Sequence, residues 1–473
     1  MAESRGVVSV VILAAGEGKR FRSAKPKVLH EMCGLPMLGH VVRASEGLKP
    51  AKIAVVIGRG AEAVDRFLKD FARKPVVTAL QPEQLGTADA TRIGEEALGK
   101  GTGTVLVMPG DTPLLSVETL RKLVSYHRKR RAAATVLTAQ LANPKGYGRI
   151  VRDSVGGVQK IVEETDATLI EKRIAEVNTA VWVFDRALLR SAISPIERQN
   201  AQRELYLTDI VEVLVMKGET VEAYQAEDAA EISGVNSRSQ LAAAASVMRD
   251  RIAERHMAAG VTIVDPSQTY IDATVRIGRD TTIHPLTFLS GQTVIGNDCE
   301  VGPSTRVVSS KIADGARVQF SVLDHAVVGA GANVGPYAYL RPGATLGEGA
   351  KAGTFVEIKK SRVGKGSKVP HLSYIGDAEI GTGVNVGAGT ITCNYDGENK
   401  HKTIIENDAF IGSDTMLIAP VRIGTGAFTG AGSAIAKDVP PGALGVERSE
   451  QNNIKGWASN KRKKGKRGGG TSK

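Results

Sequence analysis

The stretch Ile271–Val307, IDATVRIGRDTTIHPLTFLSGQTVIGNDCEVGPSTRV, decides the architecture of half the chain. An aliphatic residue falls on every sixth position: Ile271, Ile277, Ile283, Leu289, Ile295, Val301 and Val307. A period of six matches neither the 3.6 of a helix nor the 2 of a simple strand. It fits a coil of short strands, each hexapeptide forming one flat face with one aliphatic side chain on the axis. The beat resumes in new phases at Val328, Val334, Leu340, Leu346, Ala352 and Ile358, then at Val363, Val369 and Ile375, then at Ile405, Ile411, Leu417 and Ile423. Gly often follows directly, as at Gly278, Gly296, Gly302, Gly329, Gly335 and Gly347, and is expected to turn the corners where φ is unusual. The expectation is a solenoid whose coils contact only their neighbours.

The other half alternates differently. Apolar, β-branched runs at 7–13, 53–57, 105–108, 135–138 and 180–184 are separated by helical stretches at 36–48, 61–71, 87–98 and 116–129. Strand–helix alternation predicts a mostly parallel sheet covered on both faces, with ligands outside the carboxyl ends of its strands. Ser237 and Gln240 form a capping-box pattern before an Ala-rich run, so 237–260 reads as a linking helix stopped by Gly260. The expected organisation is a nucleotide-handling domain at 1–236, the linker, a coil domain at 261–457 and a disordered basic tail at 458–473.

With 473 residues the chain exceeds what one core usually serves. Its three cysteines, Cys33, Cys299 and Cys393, are too few for a disulfide framework, and a reducing cytoplasm fits them. No apolar run approaches a membrane span. The start reads as a first strand rather than a signal peptide. Of the net charge of +12, seven positives lie in KRKKGKRGGGTSK at 461–473, leaving +5 for the rest. The tail reads as a solvated terminus, with nucleic acid or membrane the less favoured use.

Two segments carry chemistry. Leu13-Ala14-Ala15-Gly16-Glu17-Gly18-Lys19-Arg20 follows a strand, and its small residues let backbone N–H groups close on phosphate. It is not a Walker loop. Gly110-Asp111 closes another strand, where a carboxylate can hold Mg²⁺.

The combination LAAGxGxR at 13–20 with Lys25-Pro26-Lys27-Val28-Leu29 resembles the sugar-phosphate nucleotidyltransferases. Leu80–Thr87, Gly146–Ile150, Glu163, Val177-Asn178-Thr179 and Gly234-Val235-Asn236 follow in the same order. The coil half resembles the left-handed parallel β-helix of hexapeptide-repeat acyltransferases. Its strings RPGA at 341–344, EIKK at 357–360, HLSY at 371–374 and NVGAGTITCNYDG at 385–397 narrow the match. From about residue 7 to 457 the chain resembles the bifunctional bacterial family that joins N-acetylglucosamine-1-phosphate uridylyltransferase to glucosamine-1-phosphate N-acetyltransferase.

The resemblance implies glucosamine 1-phosphate, acetyl-CoA and UTP as substrates and Mg²⁺ as cofactor. It puts Asp111 and Asn236 on the metal and Arg20 and Lys27 on phosphates. Leu13, Ala14, Gly16, Gln81, Gly86 and Thr87 would hold the nucleotide, and Gly148, Glu163, Asn178 and Asn236 the sugar. In the coil half His371 would be the base. Arg341, Lys359, Tyr374, Asn385 and Lys400 would hold the amino-sugar phosphate, and Ala388, Asn394, Tyr395, Ser413, Ala431 and Arg448 acetyl-CoA. A homotrimer is implied, with acetyl sites between subunits. Three residues depart from the pattern: Pro109 before Gly110, Asp89 two residues after Thr87, and Ala180 where Gly is common. The runner-up reading is a nucleotidyltransferase whose β-helix only regulates or assembles.

Overall fold

The computed structural model describes residues 8–198 and 200–467. The chain divides into two compact units. The first runs to Arg255 with the short run Ile271–Ala273, and the second takes His256–Tyr270 and everything from Thr274.

In the first unit a sheet runs in the order Val221–Gln225, Ala134–Gln140, Glu176–Asp185, Thr104–Pro109, Val8–Ala14, Ile53–Ile57, Val76–Leu80. Val8–Ala14 pairs in parallel with both of its neighbours, and Glu176–Asp185 runs antiparallel to both of its own. The strands are apolar on both faces because helices cover both. Val10, Ile12, Val55 and Leu106 enter one core, and Val11, Val56, Val105 and Trp182 the other. Glycine permits the closest packing: a Cβ on Gly94 of helix Thr87–Ala97 would lie 2.3 Å from Val11 Cγ1.

The helix Arg238–Ala258 opens on a variant of the capping box, in which the Gln240 side chain takes the N–H of Asn236 in place of that of Ser237. Gln240 N donates to Ser237 Oγ at 3.2 Å, and Gln240 Oε1 accepts from Asn236 N at 2.8 Å. It is more than a linker, because Leu241, Ala244, Ala245 and Met248 pack against Phe21, Met37 and Leu114.

The second unit is the left-handed parallel β-helix. Three sheets of 11, 10 and 9 strands stack coil on coil in parallel. Ile283 pairs with Val301, Leu289 with Val307 and Ile295 with Ile312. Of the first run of the beat, only Ile277 is less than fully buried. The change of phase after Val307 has a simple cause. Buried Ile312, Val318, Leu323 and Val328 continue the wall with faces of five residues among faces of six.

The glycines after the beat act differently from expected. Gly278 and Gly296 have no positive φ; a Cβ on Gly278 would sit 2.5 Å from Gly296 C, and one on Gly296 2.1 Å from Asp314 Oδ1. They are required by the close approach of the next coil. The left-handed turn falls two residues later, at Asp280 (φ 61°) and Asp298 (φ 54°). Gly302 and Gly335, at φ 100° and 102°, do match the corner expectation.

The tail also differs. Trp457–Arg467 forms a helix, since Lys and Arg favour helix and nothing in 457–464 breaks it. Lys461 Nζ lies 4.8 Å above the Trp457 ring, one turn away. Residues 468–473 of the expected tail lie outside the described residues. No helix among the described residues is long and apolar enough to cross a membrane.

Candidate functional sites

At the carboxyl end of Val8–Ala14 and its neighbours lies a cavity of about 320 Å³. Leu13, Ala14, Gly16, Lys27, Gln81, Gly86, Thr87 and Asp111 all line it, joined by Pro109 and Ala180. The loop after Ala14 is shaped by two demands on Gly18: φ is 66°, and a Cβ would meet Lys27 Cβ at 2.7 Å. Gly86 is equally constrained, with φ 122° and the Leu205 backbone 2.4 Å from a Cβ. Helix Thr87–Ala97 therefore begins against the wall of the cavity, its N-terminus favouring negative charge.

Lys27 Nζ is paired with Asp111 and donates to Asn236 Oδ1 at 3.0 Å. Asn236 is held beside Asp111 by the bond from Val235 N to Asp111 O, 2.9 Å. A carboxylate and an amide oxygen thus converge on one cation, and hard oxygens of this kind suit Mg²⁺, which keeps waters and takes phosphate oxygens as further ligands. The donor set fits the group.

Gly148, Glu163 and Asn178 form an adjoining group. A Cβ on Gly148 would meet the Glu163 carboxylate at 3.2 Å, and Asn178 N donates to Gly148 O at 2.9 Å. Burial pushes the Glu163 carboxyl above its ordinary range. Beneath it Arg149, almost fully buried, ties Tyr147 O to Glu164. Arg20 stands apart, exposed on the turn Lys19–Phe21 that Phe21 anchors in the core.

The departures have local effects. Asp89 is buried and takes Gln81 Nε2 at 2.9 Å and Arg92 at 2.7 Å, so it fixes the Gln81 amide. Ala180 sits at φ 59°, the region that glycine favours. Sequence reasoning missed Gln84, whose Nε2 donates to Ala15 O at 2.8 Å, and Glu204, which also lines the cavity. Gln84 lies inside the Leu80–Thr87 segment without being singled out there, and Glu204 falls in no motif.

In the β-helix, Lys359, Tyr374, Asn394 and Lys400 meet around Asp377. Asn394 Nδ2 donates to Asp377 Oδ2 at 2.5 Å, and Lys359 Nζ lies 3.9 Å from the same oxygen. A Cβ on Gly376 would touch both the Tyr374 hydroxyl and Asn394 Nδ2. Lys359 holds its neighbour Lys400 below the usual lysine range. Arg341 pairs with Glu357 at 2.7 Å. Asn385 stands in the strand beside Lys368.

Ala388, Ser413, Ala431 and Arg448 form a second string up successive coils. Asp414 N donates to Ala388 O at 2.6 Å, Gly432 N to Ser413 O at 2.9 Å, and Arg448 Nη1 to Ala431 O at 2.9 Å. His371 ends the strand Lys368–His371, exposed, and heads a groove of about 440 Å³ that also takes in Thr354, Lys351 and Asn333. Residues 394–402 break the beat as a small hairpin bridged at Tyr395 and Lys400 and closed by Asp396, which accepts from Glu398 N and Asn399 N. Cys393 beside it has its thiol pushed up by burial, the wrong direction for a nucleophile.

Comparison with known proteins agrees with this division. The nucleotidyl transferase family matches residues 9–234. The bifunctional protein GlmU of Streptomyces avermitilis is 49% identical over 457 residues, covering 96% of this chain and 94% of the relative. That of Carboxydothermus hydrogenoformans is 50% identical over 443 residues, covering 94% and 98%, and that of Shouchella clausii 48% over 443 residues, covering 94% and 97%. The chain belongs to the family of bifunctional GlmU proteins, transferases of UDP-N-acetylglucosamine biosynthesis with uridylyltransferase and acetyltransferase activities.

Proposed function

We propose that each activity has its own site in its own unit. In the first unit a phosphate oxygen of N-acetylglucosamine 1-phosphate attacks the α-phosphorus of UTP, and pyrophosphate leaves. The nucleophile is already anionic, so the work is positioning and charge neutralisation. Leu13, Ala14 and Gly16 present backbone to the nucleotide, Gln81, Gly86 and Thr87 hold the base, and Lys27 and Arg20 meet phosphates. Gly148, Glu163 and Asn178 hold the sugar. Asp111 and Asn236 hold Mg²⁺, which when bound neutralises charge developing on the phosphates. The observation that carries this reading is the convergence of Asp111, Asn236 and Lys27 at the mouth of one cavity.

In the second unit the amine of glucosamine 1-phosphate attacks the acetyl-CoA carbonyl, and the thiolate of CoA leaves. His371 takes the proton that the amine must lose. Arg341, Lys359, Tyr374, Asn385 and Lys400 seat the amino-sugar phosphate, and Ala388, Asn394, Tyr395, Ser413, Ala431 and Arg448 seat acetyl-CoA. Acetyl transfer comes first, and its product feeds uridylyl transfer.

The working form is a homotrimer in the cytoplasm. Support comes from an aromatic column on the outside of the coil: Phe320, tilted against Tyr337 at 5.7 Å, and Phe355, stacked on Tyr337 at 5.4 Å, are like Tyr337 exposed. Exposed apolar columns of this kind mark contact surfaces.

The test supplies the protein with glucosamine 1-phosphate, acetyl-CoA, UTP and Mg²⁺. UDP-N-acetylglucosamine and pyrophosphate are expected. Uridylyl transfer without acetyl transfer would favour a β-helix that only regulates or assembles. Light scattering reads the trimer, and a monomer would sink that part.

A further inference from the structure

One carboxylate stands inside a group of cations that is read as a phosphate site. Asp377 follows the strand Tyr374–Gly376 at φ 49°. Its backbone is held on both sides: its N donates to Lys359 O at 3.1 Å, and its O accepts from Thr403 N at 3.3 Å. Its Oδ2 meets two side chains at once, Asn394 Nδ2 at 2.5 Å and Lys359 Nζ at 3.9 Å. Both acid and lysine are largely shielded from water, at 21% and 14% exposed, so their attraction is weakly screened. Lys400 adds a second ammonium beside Lys359.

We propose that Asp377 is a positioning residue that couples the two substrate sites of acetyl transfer, gripping Lys359 on the amino-sugar phosphate side and Asn394 on the acetyl-CoA side through one oxygen. This rests on the roles given above to Lys359 and Asn394. On this reading Asp377 acts through its two partners, Lys359 and Asn394. It is an anion where a phosphate is to bind, so its charge opposes substrate binding and is retained for alignment. Removing the charge leaves the phosphate site more positive and its affinity for the sugar phosphate no weaker. The same change frees Lys359 from its tether and loosens Asn394, and misplacing groups by a fraction of an ångström slows the chemical step. The expected signature is therefore a split between kcat and KM, opposite to that of a substrate contact.

The test uses the full chain with Asp377→Asn. Asparagine matches the shape and adopts the left-handed backbone at less cost than alanine. Acetyl transfer kcat should fall about tenfold or more. KM for glucosamine 1-phosphate should stay level or fall, and uridylyl transfer and the melting temperature should be unchanged. Added to Asn394→Ala, the change should cost little further, because the two act as one unit. An acetyl kcat close to that of the unchanged chain would overturn the proposal. So would a raised KM with kcat intact, which would make Asp377 a substrate contact, or loss of both activities with a lower melting temperature, which would make it a folding residue. Lys359→Ala and Asn394→Ala serve as controls: if both kept full acetyl transfer, the reading of the site would fail, separately from the coupling.

Discussion

Lys27 and Asp111, 84 residues apart in the chain, form an ion pair whose ammonium also takes Asn236 Oδ1 at 3.0 Å. The lysine head occupies the point on which both oxygens converge. A divalent cation held by the same oxygens must displace it, and Lys27 then has the reach to meet a nucleotide phosphate. Lys27→Met should bind Mn²⁺ alone more tightly than the unchanged chain, read by calorimetry, while losing uridylyl transfer by about 10²-fold or more. Asp111→Asn should lose both. Equal metal affinity with and without Lys27 would show that the two cations do not compete.

The two activities should separate. His371→Ala is expected to lower acetyl transfer by about 10²–10⁴-fold, the usual worth of a general base, with uridylyl transfer retained. Separate assays of the two half-reactions measure this. Loss of both from a folded variant would contradict two independent sites.

Ala180 at φ 59° gives a stability prediction. A left-handed backbone costs a non-glycine residue about 1 kcal/mol, and Ala180→Gly removes that strain. The release is partly offset because glycine gains freedom in the unfolded chain. The urea midpoint should rise slightly or hold. Because Ala180 lines the nucleotide cavity, KM for UTP is the second readout. A fall in stability approaching that of an ordinary helix glycine would show that Ala180 is unstrained.

Asp209 gives a pH prediction. Burial first, then Glu212 and Asp166, push its carboxyl up from 3.8 to about 6. The native chain therefore keeps a proton that the unfolded chain releases earlier. The stabilising difference is complete below about pH 4 and is lost as pH rises through about 6. Asp209→Asn should flatten that decline, raising the urea midpoint at neutral pH relative to acid pH. An identical pH slope in both proteins would reject the assignment.

The β-helix was legible because each face buries one side chain, so the packing rule is printed in the spacing itself. What escaped was the mixture of faces of five and six residues, as from Val307 to Ile312, which a search for one fixed period passes over. The role of Gly278 was misread for a physical reason. Positive φ and close approach both select glycine, and only the neighbouring coil tells them apart. In the first unit Lys27, Asp111 and Asn236 stood in recognisable strings. Glu204 and Asp377 did not, and Gln84 stood inside Leu80–Thr87 without being singled out, because their meaning lies in what the fold brings against them. The helix at Trp457–Arg467 escaped because a run of cations was weighed by its charge and not by its helix propensity.

The hairpin at Tyr395–Lys400 leaves the coil after Cys393 and returns at Thr403, where Ile405 still pairs with Ile380 as the stack requires. The wall above and below is indifferent to the length of that excursion. Substrate preference can therefore drift at this corner by insertion or exchange, while the aliphatic axis goes on setting the melting point. That makes the tip at residues 396–399, between the bridged Tyr395 and Lys400, the natural place to graft a new acceptor range onto an unchanged frame.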